Sequence, residues 1–250
     1  MTPRSFVAAL ADVQLQGVFN PYRDHCEVHD LANAPAMRRK NLRDYLAAVE
    51  SLGTDTIWMG RDLGYRGGRR TGLALTDEAR LPMFAAHYPG VAPSKATKGP
   101  SVAERTAAEI WAVLARLERP PLLWNVFPFH PHDPDDPMTN RRFAARELSE
   151  VTDLNRTLIT WLGIRRIVCI GQDATAYAAT FGVEVECVRH PSYGGVTEFR
   201  QGIAMHMGQL CECLHIDMQG GREASRRDDR RDAFRVPQRC HELIEIEGRR

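Results

Sequence analysis

The chain has 250 residues, 43% hydrophobic and 26% charged, which is typical of a globular protein with a full hydrophobic core. Its 33 basic and 32 acidic residues leave a net charge of +1, so any nucleic-acid surface must come from local clusters of basic residues. No apolar run approaches the roughly 20 residues of a membrane span, no secretory signal is evident, and six scattered cysteines form no CxxC pair, so we expect a cytoplasmic protein without a membrane contact.

Hydrophobic periodicity predicts strands that alternate with helices. In chain order the predicted elements are a helix over 37–52, a strand at Ile57–Met59, a helix from a Ser101-x-x-Glu104 capping box to Pro120, a strand at Leu122–Phe127, a helix over Arg141–Leu162, a strand at Arg166–Gly171, a helix over Asp173–Thr180 and a strand at Val183–Val188. Short strands between helices predict an α/β fold, a three-layer α/β/α sandwich with a central, mainly parallel four-stranded sheet.

The chain divides by composition into a domain and a tail. Residues 1–216 contain all the predicted strands and form one α/β domain in this interpretation. Residues 217–250 form a charged C-terminal tail, in which Gly220–Arg235 has alternating charges and few apolar residues. Such a composition buries little apolar surface, so we expect the tail to be flexible or to lie on the surface.

Three of the predicted strands end in polar, loop-rich sequence. The loops read GRDLGYRGG after the first strand, NVFPFHPH from the end of the second, and RHPSYGG after the last. In open α/β sheets, ligands bind beyond the carboxyl ends of the strands. The three loops are therefore expected to converge on one site.

Together, these loops resemble the motifs of the uracil-DNA glycosylase superfamily, over about residues 18 to 205. The first motif of that superfamily begins with Gly and has a carboxylate or Asn just after it, as in Gly60-Arg61-Asp62. The second motif is His-Pro-Ser, matched by His190-Pro191-Ser192, and between the two lies a strand-end Asn that reads the base, matched by Asn125.

The resemblance implies a catalytic role for Asp62 and His190. Asp62 would stabilise the oxocarbenium character that the sugar develops and would orient water, while His190 would hydrogen-bond O2 of the departing base. The amide of Asn125 would match N3–H and O4 of uracil and reject cytosine. The base itself would be flipped out of its stack into this pocket.

The same resemblance assigns the remaining site residues. Base binding is assigned to Gly60, Arg61, Gly64, Tyr65, Leu75 and Asn125. DNA binding is assigned to Arg66, Arg69, Ser192, Tyr193, Gly194 and Gly195. The arginines would meet phosphates, and Tyr193-Gly194-Gly195 would press into the minor groove as a wedge. The alternative for the arginines is a solvated face.

Two positions depart from the best-known pattern. A bulky Tyr usually stands at residue 64 and excludes the 5-methyl of thymine, so Gly64 predicts a broader substrate range. The aromatic residue that usually stacks on the base is replaced by Leu75, so stacking would be weaker or supplied by Phe127 or Phe129. An equal alternative is that Leu75 belongs to the ordinary core.

No cofactor or metal is expected. The four cysteines of the iron–sulfur branch of the superfamily are absent, which predicts no cluster. The histidines at His25 and His29, and at His130 and His132, lack the closed four-ligand spacing of a structural zinc site.

These patterns predict a monomeric, monofunctional uracil-DNA glycosylase. It would remove uracil, with other deaminated bases as further candidates, and leave an abasic site in base excision repair. The three loops contain no lysine for Schiff-base chemistry, and the chain has no GxSxG, Walker or GxGxxG motif. The alternative is a catalytically weak module of the same fold that binds damaged DNA or DNA ends.

Overall fold

A computed structural model of the chain describes residues 1–206. Seven α-helices have both ends in this range: α1 (Pro3–Asp12), α2 (Ala34–Leu52), α3 (Gly68–Thr71), α4 (Leu81–His87), α5 (Arg105–Leu114), α6 (Ala145–Trp161) and α7 (Gln172–Ala178). The strands in the same range are β1 (Val18–Phe19), β2 (Thr56–Asp62), β3 (Leu122–Phe127), β4 (His130–Pro131), β5 (Arg166–Ile170) and β6 (Glu184–Val188).

Residues 1–199 form one compact unit, and a second unit begins at Arg200. Of that second unit, the helical residues 200–206 are described. The predicted tail over residues 217–250 lies outside the described residues, so its role stays a prediction.

Four strands form one parallel sheet in the order β3-β2-β5-β6, and helices flank it. The short strands β1 and β4 form a separate antiparallel pair. The predicted α/β sandwich with a central four-stranded parallel sheet is therefore confirmed.

The hydrophobic pattern explains how the sheet is buried. Ile57 and Met59 in β2 are fully buried, and all six residues of β3 are buried, as expected for parallel strands covered on both faces. Helix α2 buries Leu42, Leu46 and Val49, which lie on one face at spacings of three and four residues. The sheet is thus a rigid platform from whose carboxyl edge the polar loops emerge.

The predicted start of the helix after Pro100 was wrong. Helix α5 begins at Arg105 with Glu104 as its extended N-cap residue, so Ser101 does not open a capping box. Two buried carboxylates account for this, because Val102 N–H donates to Glu78 Oε2 at 2.9 Å and Glu104 N–H donates to Asp77 Oδ2 at 2.6 Å. These bonds satisfy the backbone N–H groups of Val102 and Glu104 outside the helix.

Candidate active site

The polar loops leave the sheet from one edge. Asp62 ends β2, Asn125 lies near the end of β3, and His190 follows β6. Because these strands are parallel, their carboxyl ends lie on the same side of the sheet. In the β2–β3 register Gly60 is opposite Asn125, which places the amide directly beside the first motif.

Gly60, Leu75 and Asn125 lie in close contact. A Cβ atom on Gly60 would lie 2.8 Å from Leu75 Cδ2 and 3.4 Å from Asn125 Oδ1, so the three residues can approach this closely only because residue 60 is glycine. Leu75 is half-buried and has a φ of 54°, in the left-handed region that non-glycine residues rarely adopt. This strained backbone presents the leucine side chain to Gly60 and Asn125.

The two phenylalanines considered as stacking residues lie in the core. Phe127 and Phe129 are fully buried, with ring centroids 5.5 Å apart, and the Phe127 ring lies 5.0 Å from that of Phe143. Such edge-to-face and tilted arrangements are typical of core aromatic clusters. Leu75 is therefore the better-placed candidate for packing against a base.

The Asn125 side chain is buried without a partner for its oxygen. Its exposed fraction is 1%, and no residue in the described part of the chain hydrogen-bonds to Oδ1. A buried acceptor without a partner costs roughly 1–3 kcal/mol, so native structures rarely keep one. An unsatisfied amide beside Gly60 and Leu75 is an arrangement suited to a polar ligand with a complementary edge.

Asp62 is buried and paired with its neighbour. Its side chain is 8% exposed, and Arg61 Nε donates to Asp62 Oδ2 at 2.5 Å. Burial raises the pKa of Asp62, and the ion pair with Arg61 opposes that rise. Asp62 is thus a carboxylate whose ionised form depends on Arg61.

Arg61 also connects Asp62 to a second carboxylate. Arg61 Nη1 donates to Asp173 Oδ2 at 3.0 Å, and Arg142 Nη2 lies 3.1 Å from the same oxygen. Asp173 is in the first turn of α7, so the guanidinium of Arg61 is held between β2 and that helix. Acidic and basic side chains therefore alternate along the series Asp62, Arg61, Asp173 and Arg142, and Arg142 at the end of this series is largely exposed.

The hydrogen bonds around His190 fix its tautomer. Ser192 N–H donates to His190 Nδ1 at 3.2 Å, and Ser192 Oγ lies 2.7 Å from the same nitrogen. A backbone N–H only donates, so Nδ1 accepts and the neutral ring carries its proton on Nε2. Burial lowers the pKa of His190, and Arg61 and Arg189 lower it further. His190 is therefore a neutral imidazole with an Nε2–H donor.

The loop after His190 presents an aromatic side chain to solvent. Tyr193 is 96% exposed and has a φ of 52°, and Gly194 follows with a φ of 79°. A Cβ atom on Gly195 would overlap the carbonyl oxygen of His190, so the chain can fold back this tightly only with glycine there. A cleft of about 320 Å³ lies between this loop and the start of α5, lined by Arg105, Thr106, Pro191, Ser192, Tyr193 and Gly194.

Arg69 does not fit the predicted phosphate contact. It is 5% exposed, its guanidinium lies 4.0 Å from the Phe19 ring centroid, and it hydrogen-bonds to His130 Nδ1 at 3.2 Å and to the carbonyl of Pro137. Burial lowers the pKa of Arg69. We therefore interpret Arg69 as a structural residue, whereas Arg66 on the same loop is exposed.

This difference gives a matched pair of variants. Arg66→Ala is expected to weaken DNA binding and to reduce the slope of log K against log[salt] by about 1, with little change in stability. Arg69→Ala is expected to lower the free energy of unfolding by about 2 kcal/mol or more, because it removes buried hydrogen bonds and a cation–π contact. Salt-dependent binding and urea unfolding of both variants test this. Equal stability losses would contradict the assignment.

Other predicted base-binding positions are held by residues that were not predicted. Tyr65 N–H donates to Asn140 Oδ1 at 3.0 Å, and the space beside Gly64 is occupied by the Glu104 side chain. Asp173, which was also not predicted, contacts Arg61 because helix α7 packs beside the end of β2. One sequence signal could have pointed to Glu104, which is its position at a predicted helix start.

The turn at Asn20 is structural. Its Nδ2 donates to the carbonyls of Leu10 and Val13 at 2.8 and 2.9 Å, and its Oδ1 accepts from Tyr22 N–H at 3.0 Å. Tyr22 in turn donates to the carbonyl of Gly72 at 3.0 Å. The segment therefore ties the end of α1 to the loop that contains Gly72.

His130 and His132, two of the histidines considered as metal ligands, have other hydrogen-bond partners. His130 Nε2 lies 2.7 Å from the Thr139 carbonyl, and burial lowers the pKa of His130 to about 3. In residues 1–206 no group of three or more His, Cys, Asp or Glu side chains is arranged to hold a metal ion. Nor does this range contain a helix long and apolar enough to span a bilayer.

Comparison with solved structures gives the fold independently of the motifs. The crystal structure of wild-type SMUG2 from Pedobacter heparinus matches with a TM-score of 0.59 and 13% identity, covering 86% of this chain and 99% of that chain. No protein-family model matches the sequence, and no match was found among curated proteins. The chain therefore has the α/β sandwich fold of SMUG2.

Proposed function

We propose that this chain is a monofunctional DNA glycosylase that hydrolyses the N-glycosidic bond of uracil in DNA and leaves an abasic site. The observation that carries the proposal is the buried, unpartnered Asn125 oxygen beside Gly60, at the same sheet edge as Asp62 and His190. Further support is the resemblance of the three strand-end loops to the motifs of the uracil-DNA glycosylase superfamily, together with the fold shared with SMUG2. Other deaminated bases are further candidate substrates.

In this proposal each polar group has one role. The Asn125 Oδ1 accepts from N3–H of a flipped uracil while Nδ2 donates to O4, and Leu75 packs against the ring. As the glycosidic bond breaks, the Asp62 carboxylate stabilises the positive charge on the sugar and orients the attacking water. The electron pair of the bond stays on the base, and His190 Nε2–H donates to O2, where negative charge develops.

The surrounding loops would hold the DNA. Tyr193 is exposed on a tight loop directly after the proposed catalytic His190, which is the position of a side chain that enters the space left by a flipped base. Arg66 would contact a phosphate, and such a contact positions the protein on the DNA without recognising the base sequence. No covalent intermediate is needed, and we expect the protein to act as a monomer.

The test uses purified protein and labelled oligonucleotides with one uracil, single-stranded, opposite G and opposite A. Strand cleavage that requires subsequent alkali is the expected result, because hydrolysis leaves an intact abasic site. Cleavage without alkali would indicate a lyase and overturn the monofunctional assignment. Tight binding of these oligonucleotides without base release would favour the alternative, a binding module of the same fold.

The pKa shifts predict the pH dependence of the reaction. Asp62 must be ionised to act, and burial raises its pKa, so activity should fall as the pH drops through a value above the ordinary aspartate pKa of about 3.9. Arg61 lowers the pKa of both Asp62 and His190. Arg61→Gln is therefore expected to move the acid limb of the kcat/KM profile to higher pH.

Profiles between about pH 4 and about pH 8 would measure this shift. Arg23→Gln, which changes a partly exposed arginine paired with Asp24, is the control and should leave the limb in place. An acid limb that stays fixed or moves to lower pH in Arg61→Gln would show that Asp62 does not govern the profile.

A further inference from the structure

The side chain of Glu104 fills the space beside two glycines of the loop that follows Asp62. A Cβ atom on Gly64 would lie 3.3 Å from Glu104 Oε1, and one on Gly67 would overlap Glu104 Oε2. The carbonyl oxygen of Thr76 lies 3.4 Å from the same position at Gly67. The absence of side chains at residues 64 and 67 is therefore what lets a carboxyl group from another part of the chain lie against this loop.

The backbone of Glu104 is fixed by a buried anchor. Glu104 N–H donates to Asp77 Oδ2 at 2.6 Å, and Asp77 is itself held by Arg80 through backbone and side-chain bonds of 2.9 Å each. Asp77 is fully buried and stands two residues after Leu75. One carboxylate thus secures both Glu104 and the segment that presents Leu75 to the base pocket.

Glu104 is half-buried, and its carboxyl oxygens are not among the fully buried atoms of residues 1–206 that lack a hydrogen-bond partner, so the group can be reached by solvent or by a ligand. Burial raises the pKa of Glu104, the nearby Asp77 raises it further, and Arg66 acts in the opposite direction. A carboxyl group on an anchored backbone, lying against Gly64 and Gly67 in the loop after Asp62, is placed to meet a group that enters the site from that side.

We propose that Glu104 is a specificity-determining residue that closes the base pocket on the side of Gly64 and excludes pyrimidines with a substituent at C5. The inference rests on the proposed function, in which the base packs beside Gly60, Leu75 and Asn125, and on the resemblance, which implies that the C5 edge of the base faces residue 64. The carboxyl group takes the volume that a 5-substituent needs, and its polarity disfavours a methyl group. If Glu104 has this role, the broader substrate range predicted from Gly64 would not be observed.

The experiment compares release of uracil, thymine and 5-hydroxymethyluracil, each opposite G in one oligonucleotide sequence. The protein is used as the full chain, in wild-type form and as Glu104→Ala, Glu104→Asp and Glu104→Gln. Single-turnover rates give the ratio of each 5-substituted base to uracil. Glu118→Ala, an exposed acid beyond the end of α5, is the matched control.

Glu104→Ala is expected to raise the ratio by about tenfold or more, which is the discrimination that one methyl-sized group supplies. Glu104→Asp, which withdraws the carboxyl group by one methylene, should give an intermediate rise. Glu104→Gln, which keeps the volume, should stay within about twofold of wild type. If Glu104→Ala does not fold, as judged by thermal unfolding, the Asp and Gln variants still decide the question.

Failure of the Glu104 inference can be distinguished from failure of the proposed function. If the wild-type protein releases uracil but the Ala and Asp variants leave the ratio unchanged, the role of Glu104 is wrong and the proposed function stands. If the wild-type protein releases no uracil in any context, the proposed function itself fails. A rise in the ratio for Glu104→Gln equal to that for Glu104→Ala would show that volume is not the cause, which also overturns the inference.

Discussion

Replacement of Asp62 by Asn is expected to lower the rate of uracil release by about 10²–10⁴-fold. The variant keeps the size of the side chain but loses the charge that stabilises the sugar cation and the basicity that activates water. DNA affinity should change little, because recognition of the base is assigned to Asn125 and recognition of phosphate to Arg66. Single-turnover excision and equilibrium binding to a uracil-containing duplex measure the two effects separately.

The control is Asp153→Asn on helix α6, where the side chain is almost fully exposed and pairs with Arg156 one turn away. This variant should retain wild-type activity. An Asp62→Asn protein that keeps a tenth or more of the wild-type rate while folded would show that catalysis does not depend on this carboxylate, and the mechanism would need another acid.

Replacement of Asn125 by Leu is expected to change activity and stability in opposite directions. Excision of uracil should fall about a hundredfold, since two hydrogen bonds to the base are lost. The free energy of unfolding should rise by about 1 kcal/mol, because the nearly isosteric leucine removes a buried oxygen without a partner. Excision kinetics and urea unfolding of the same preparation measure both effects.

Asn155→Leu provides the matched control. Asn155 is as deeply buried as Asn125, but its Nδ2 donates to the Val126 carbonyl at 2.7 Å and its Oδ1 accepts from Trp124 Nε1 at 2.9 Å. Its replacement leaves two buried groups unsatisfied and should cost about 1–3 kcal/mol or more. If Asn125→Leu destabilises the protein as much as Asn155→Leu does, Asn125 is a structural residue.

Three of the four sheet strands could be predicted from the sequence because their apolar runs are continuous, and β6 could be predicted because its apolar residues alternate with acidic ones. Leu122–Phe127 is predicted and observed with the same ends. The strand β2 runs further than its apolar run, to Asp62, because the polar Asp62 still pairs with Phe127 of β3. Apolar patterning therefore finds the buried centre of a strand but misses the polar end that carries the chemistry.

The convergence of the motif loops could be predicted from the sequence, but the residues from other elements that contact these loops could not. Parallel strands share one edge, so Asp62 and Asn125 had to lie near each other. Glu104 and Asp173 reach the loops only because of where α5 and α7 pack. Arg69 appears solvent-facing in a glycine-rich loop, but it is buried by Phe19 and His130, which lie far away in sequence.

The burial of the strands separates the two halves of the proposed chemistry. Asp62 and Asn125 extend from the neighbouring strands β2 and β3, of which β3 is entirely buried, whereas His190 follows β6 at the opposite edge of the sheet, which is the least buried of the four strands. Local opening of a protein starts where few apolar contacts hold it. A transient state in which β6 detaches would therefore keep the amide and the carboxylate in place while losing the imidazole, so the protein would still hold a flipped base but release it uncut.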